Sequence, residues 1–160
     1  MKFVSECEKN NLHKPVSIQN AYNLINRSFE ESLSETCFRE KIGLLPYSPL
    51  AFGYLTGKYI DDPNAKGRIN DFEGFDYRYK RPNTQPAIKE YVELARDLDM
   101  SPTQMALAFV NDRSFVSSNI IGATNLDQLK ENIESAKITL DKKVLKKINE
   151  IHLKYPNPAP

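Results

Sequence analysis

Three short groups of residues carry flat or hydrogen-bonding side chains where ligand chemistry collects: Gln19, Asn20 and Tyr22; Tyr47, Ser48, Pro49 and Leu50; and Gly122, Ala123, Thr124 and Asn125. Each follows an apolar run that reads as a strand, and parallel α/β folds bind ligands just beyond the C-terminal ends of strands. Thr124, with Asp127 three residues on, stands at the expected start of a helix. Its hydroxyl and the unpaired N–H groups of a first turn could hold an anion such as a phosphate. An ordinary N-cap is the plainer reading of the same residue, and its context must decide.

Other residues invite less chemistry. His13 falls in a turn before a strand and His152 in the last helix; neither has a nucleophile or ligand partner at telling spacing, so both read as surface histidines. Cys7 and Cys37 have no second cysteine at metal or redox spacing and read as reduced thiols, and no metal site is expected. Ser48 is followed by Pro49, which excludes a nucleophile elbow. Tyr22 and Tyr59 have no adjacent lysine partner of known geometry and read as packing residues. The segment DFEGFDYRYKRP mixes Phe72, Phe75, Tyr77 and Tyr79 with Arg78, Lys80 and Arg81, a pattern able to stack on single-stranded nucleic acid. Asp71, Glu73 and Asp76 cancel much of that charge, so a lid or partner-contact surface is the preferred reading and no nucleic acid is expected.

The elements that must position these groups are legible in outline. Phe3, Val4 and Cys7 follow helical spacing; PVSIQ at 15–19 alternates like a strand; Ser28 and Glu31 suggest a capping box opening a helix that buries Phe29, Leu33 and Cys37. Gly43 ends that helix, and LLPYSPLAFG supplies a second strand whose prolines fix its far end as a loop. A polar stretch from Lys58 to Asn83 is long enough to be a functional lid. A helix follows Thr84, and another opens at Ser101 with Pro102 in first position and Gln104 completing a capping box. NIIGAT reads as the third strand, Thr124 caps a helix with Leu126, Leu129 and Ile133, and Asp141 opens the last helix. One domain over 1–155 and a frayed, flexible tail at 156–160 are expected.

Composition narrows the partners. Twenty-two Lys and Arg against 21 Asp and Glu leave a net charge of +1 over 160 residues, which gives no overall field for nucleic acid or an acidic membrane. The opening residues lack the apolar run of a signal peptide and no stretch approaches a membrane span, so the cytoplasm is the expected compartment; the match of Asn26-Arg27-Ser28 to a glycosylation acceptor is then accidental.

Taken in order and spacing, SIQNAYNL, LPYSPLAFGYLTGKY and IIGATNLDQLKENI resemble the last three strand-end motifs of the aldo-keto reductase family, in particular its bacterial branch related to potassium-channel β subunits. The resemblance runs from about residue 1 to 150. It implies an α/β chain forming part of a (β/α)₈ TIM barrel, about the last three strand-helix units, and hydride transfer from NADPH to an aldehyde or ketone. Carried over by motif position, Gln19 would lie beneath the nicotinamide amide and Tyr47 would stack on its ring. Ser48, Pro49, Leu50, Ala51 and Gly53 would strap the pyrophosphate, with Lys58 and Arg68 reaching phosphate groups. Gly122, Thr124 and Gln128 would surround the 2′-phosphate, and Glu131 and Asn132 the adenine edge. The family often has an arginine where Gln128 stands.

The family's catalytic tetrad of aspartate, tyrosine, lysine and histidine lies on the first four strands, and the serine-asparagine pair of its fifth strand has no counterpart here either; no residue of this sequence is expected to be catalytic. Barrels of this type use eight strands and typically about 250 residues, so the chain reads as incomplete. Unpaired strand edges would then require cover, either a homo-oligomer or a complementary chain carrying the N-terminal half. The alternative function is a non-catalytic NADP(H)-binding or protein-interaction module.

Overall fold

A computed structural model describes residues 2–160. Helix α1 (Lys2–Lys9) buries Val4 and Cys7, while Phe3, expected beside them, points into solvent. Strand β1 runs over Ser17–Ala21, two residues later than the alternation suggested, and Val16 ahead of it is 81% exposed. The chain then knots: Asn23 and Asn26 exchange backbone hydrogen bonds of 3.1 Å, and Asn23 Oδ1 accepts from Ile25 N at 3.0 Å. The capping box expected at Ser28 is not made. Ser28 Oγ instead donates to Asn26 Oδ1 at 2.7 Å, so the chain takes a 3₁₀ turn over Ser28–Glu30 before α2 (Leu33–Glu40). Phe29 and Cys37 are buried as read, Leu33 is not, and Lys41 in the left-handed region (φ 57°) ends α2.

Strand β2 (Gly43–Tyr47) pairs parallel with β1 in the register Ser17↔Gly43 to Ala21↔Tyr47. The third expected strand, NIIGAT, does not form. The chain approaches β2 earlier, through a single parallel bridge at Leu44↔Val116, with Leu44 N donating to Phe115 O at 2.8 Å and Ser117 N to Leu44 O at 2.9 Å. Pro46 then has no N–H to continue the ladder. The next bond, Ile120 N to Pro46 O at 3.0 Å, comes one residue later than an unbroken parallel ladder would place it. The close approach depends on Gly43, where a Cβ would fall 1.7 Å from Ser117 Oγ.

The lid contains two single-turn helices, α3 (Lys58–Asp61) and α4 (Arg68–Asp71), and a 3₁₀ turn at Tyr77–Lys80. It is pinned where Tyr54 Oη donates to the buried Asp76 at 2.8 Å. Helices α5 (Thr84–Asp97) and α6 (Pro102–Asn111) follow, the latter with Pro102 in its first turn and Ser101 Oγ accepting from Gln104 N at 3.5 Å. Residues Met105 to Val110 are buried without a break, so α6 has no solvent face over its last two turns. Phe109 stacks on Tyr22 at 6.0 Å between centroids; burying a side chain of that size contributes about 1.5–3 kcal/mol. Helix α7 (Leu126–Glu134) and α8 (Lys142–Lys154) complete the chain, the last capped by Asp141 Oδ1 accepting from Val144 N at 2.8 Å.

The segment 155–160, expected to fray, is docked. Ala159 N donates to Ile25 O at 3.1 Å, the buried Thr84 hydroxyl to Pro158 O at 2.9 Å, and Asn157 Nδ2 to Glu31 at 2.7 Å. Asn157 turns the segment with φ of 45°, and Pro156 and Pro158 restrict the backbone on either side of it.

Candidate functional site

The two strands and the extended segment beside them run parallel, so the loops that follow them leave from one end of the sheet. Asn23, just past β1, donates from Nδ2 to Ser48 O at 2.9 Å, just past β2; Pro46 O and Ile120 N tie the third segment to the same end. Asn23 was missed in sequence: an asparagine just past a strand can make an Asx turn, as it does here with Ile25 N, but nothing local announces its reach to Ser48.

The loop after β2 has a backbone built for close approach. Ser48, Ala51 and Phe52 have φ of 55°, 49° and 57°, and Gly53 93°. Left-handed non-glycine residues cost on the order of 1–3 kcal/mol each and persist where surrounding contacts hold them. Those contacts are present: Ser48 O accepts from Ala51 N at 2.9 Å, Leu50 O accepts from Gly53 N at 2.9 Å and Leu55 N at 3.2 Å, and Pro49 and Ala51 are buried. Tyr47, Ser48 and Leu50 stay half-exposed at the rim.

Two cations gather against this strap. A Cβ on Gly53 would stand 3.2 Å from Lys58 Cε, and one on Gly67 2.5 Å from Lys58 Nζ and 2.4 Å from Tyr59 Oη. Lys58 Nζ donates to Lys66 O at 3.1 Å and lies 4.7 Å from the Tyr59 ring centre. The Arg68 guanidinium rests over Phe52 and Phe75 at 5.7 and 5.5 Å. Lys58, Arg68 and this loop are therefore one cluster.

The third group is assembled differently. Asn125, not Thr124, caps α7: its backbone is extended and its Oδ1 accepts from Gln128 N at 2.9 Å. Thr124 N and Oγ1 instead donate to Gln128 Oε1 at 2.9 and 3.0 Å. Asn132 is buried and donates to Gly122 O at 3.1 Å, which closes the loop; Glu131 accepts from Ser101 Oγ. Gly122, Thr124, Gln128, Glu131 and Asn132 thus meet in one loop-helix corner. Gln19 lies two residues short of the end of β1, paired in register with Leu45, with its side chain exposed.

The remaining polar groups serve the interior. Arg27 forms a two-pronged pair with Glu30, at 2.9 and 2.7 Å, donates to Asn149 at 2.8 Å and covers the Phe109 ring at 5.1 Å. Tyr22 donates to Glu30; burial, with Glu30 beside it, pushes that phenol far above its ordinary range. Burial opposes ionisation of Glu30, but the bonds from Arg27 and Tyr22 outweigh it and hold the carboxyl below its usual value. His13 is exposed, whereas His152 is half-buried with Nδ1 unpartnered, and burial, then Arg27, lowers its pKa from 6.5. Among the described residues no group of three or more His, Cys, Asp or Glu is placed to hold a metal, and no helix is long and apolar enough to cross a membrane. Two broad depressions lie along α8, one shared with α5, away from the strand ends.

Parallel strands joined through helices, with polar loops and cations gathered at one strand end, define an α/β protein organised around that rim. The aldo/keto reductase family model matches residues 1–153, and the chain belongs to that family. It is similar to Protein tas of Escherichia coli (strain K12), 44% identical over 160 residues, which is 100% of this chain and 46% of that protein. An aldo-keto reductase of Babesia bovis is 33% identical over 99% of this chain and 58% of its own length. A putative voltage-gated potassium channel subunit beta of Schizosaccharomyces pombe is 31% identical over 89% of the chain and 44% of its own length. The chain spans about half the length of the curated relatives it matches. Aldo-keto reductases generally use nicotinamide cofactors.

Proposed function

We propose that this chain is the NADP(H)-holding half of an aldo-keto reductase barrel, a carbonyl reductase whose proton-transferring tetrad is contributed by another chain segment. One observation carries the reading: the hydrogen bonds Asn23–Ser48 and Ile120–Pro46 gather three motif-bearing loops at one end of parallel strands. The residues fit the group. Lys58 and Arg68 bring full charge to the left-handed strap for a pyrophosphate, and at the corner the Thr124 N–H and hydroxyl, now bonded to Gln128 Oε1, would turn to a 2′-phosphate. The half-exposed face of Tyr47 suits a flat ring. Bound NADPH supplies the hydride; this chain's residues hold and orient it.

The surface supports a partner. Among the described residues β1 has no strand on its outer edge and Val16 beside it is bare, while on the far side Ile120, Leu129 and Ile133 are partly exposed and Leu126 is 82% exposed. Two such edges fit either a second copy or a complementary chain with the N-terminal half, in the cytoplasm.

Titrating NADPH and following its fluorescence tests the reading: a saturable change is expected, and a flat response to millimolar concentration removes it. Reduction of 4-nitrobenzaldehyde by the purified chain alone, in proportion to protein, would show that no outside tetrad is needed. A second reading, a non-catalytic NADP(H)-sensing or interaction module, draws on the similarity to the channel-subunit protein. Saturable NADPH binding without reductase activity, even when the complementary half is added, selects it.

A further inference from the structure

We infer that Asn157, Pro158 and Ala159 form a clasp that fixes both ends of the stretch carrying the strap and the lid, which makes Asn157 and Thr84 positioning residues. Its consequence for the nucleotide rests on the reading of the strap as a dinucleotide site.

The strap begins at Ser48, whose carbonyl is held by Asn23. Asn23 is held in turn by its paired bonds with Asn26 and by Ile25 N. This short knot is buried from Tyr22 to Arg27. The clasp bonds to its backbone at two points: Ala159 N donates to Ile25 O at 3.1 Å, and Asn157 Oδ1 accepts from Arg27 N at 2.6 Å. Asn157 Nδ2 reaches the other side to Glu31 at 2.7 Å. One amide side chain therefore brackets the knot through a backbone donor and a carboxylate.

The lid's far end is tied to the same three residues. Thr84 is the first residue of α5, immediately after Asn83 turns the chain with φ of 68°, and its hydroxyl is fully buried. That hydroxyl donates to Pro158 O at 2.9 Å. Losing it would leave the carbonyl buried without a partner. Asn157 itself has φ of 45°, a conformation asparagine tolerates better than other non-glycine residues, so its identity serves the turn and both side-chain bonds. A segment 73 positions from Thr84 and 134 from Asn23 in sequence thus sets the spacing between the strap's start and the lid's end.

The experiment compares the full 160-residue chain with its Asn157→Ala and Thr84→Val variants by hydrogen exchange without ligand, and by NADPH titration. Asn157→Ala is expected to accelerate exchange about tenfold at 22–27 and 48–57 and leave 102–111 unchanged, with NADPH affinity falling by a similar factor. Thr84→Val is expected to accelerate 77–84 in the same selective way. Uniform acceleration that includes 102–111, or no change at 22–27 and 48–57, overturns the clasp. The selective pattern in a chain with no saturable NADPH response supports the clasp and removes the nucleotide reading instead.

Discussion

The strap and the α7 corner are both assigned to the same dinucleotide, yet they are built on opposite plans. The strap is held by buried backbone, with three non-glycine residues in the left-handed region and two cations already resting against aromatic rings beside it. The corner at Gly122–Gln128 is exposed and held by side chains: Gln128 takes both donors of Thr124, and Asn132 closes Gly122. Lys58 and Arg68 carry full charge at the strap, while Gln128 carries none at the corner, so on the proposed reading most of the affinity for a dinucleotide would come from the pyrophosphate side.

The largest effect is therefore expected from Lys58→Ala combined with Arg68→Ala. Each charge-assisted contact is worth about 1.5–3 kcal/mol, so NADPH affinity should fall by roughly a hundredfold or more in a fluorescence titration. Binding of 2′-AMP, which has no pyrophosphate, should change little. Equal losses for both ligands would erase the asymmetry.

Gly43→Ala attacks the tie between the two regions. The added Cβ would meet Ser117 Oγ at 1.7 Å and its Cβ at 2.8 Å, forcing the third segment away from β2. A destabilisation of about 2 kcal/mol is expected, or roughly 4–8 °C in thermal melting. An unchanged melt would mean that the approach of Ser117 is not needed.

Gln128→Arg should reverse part of the asymmetry. A cation at the corner is expected to raise the preference for NADPH over NADH by about tenfold, as the ratio of dissociation constants. No change in that ratio would place the 2′-phosphate elsewhere.

A smaller effect concerns pH. His152 has its folded pKa below 6.5 because of burial and Arg27. Its contribution to stability is complete above the unfolded value near 6.5 and is lost as pH falls through the folded value, since the unfolded chain takes up the proton first. His152→Gln should flatten the decline in denaturant midpoint between pH 7 and 5. Glu30, held below its usual value, adds a loss at lower pH, below about 4.5.

The tight loop after β2 was readable in sequence because Pro46, Pro49 and Gly53 lie close together along the chain, while its role as a nucleotide strap comes from the resemblance alone. Helices α5, α6 and α8 were readable from their periodicity and from Ser101 and Asp141 as caps. The third strand was not, because the defect lies in its neighbour: Pro46 withholds a donor, which no inspection of NIIGAT reveals. Thr124 was misread as a cap because Asn125, one residue on, competes for the same role, and the extended φ of −150° that decides it is set by the loop. The docked segment 155–160 was invisible for a simpler reason. Its partners Ile25, Arg27, Glu31 and Thr84 are distant in sequence, and proline-rich polar ends ordinarily fray.

The central claim is that loops separated by nearly seventy residues bind one molecule together. Titrating NADP⁺ into isotope-labelled chain and following backbone amides tests it directly. Amides of Ser48–Gly53 and of Gly122–Gln128 are expected to shift along a single isotherm with one dissociation constant. Shifts confined to one of the two loops, or two unrelated isotherms, would contradict it.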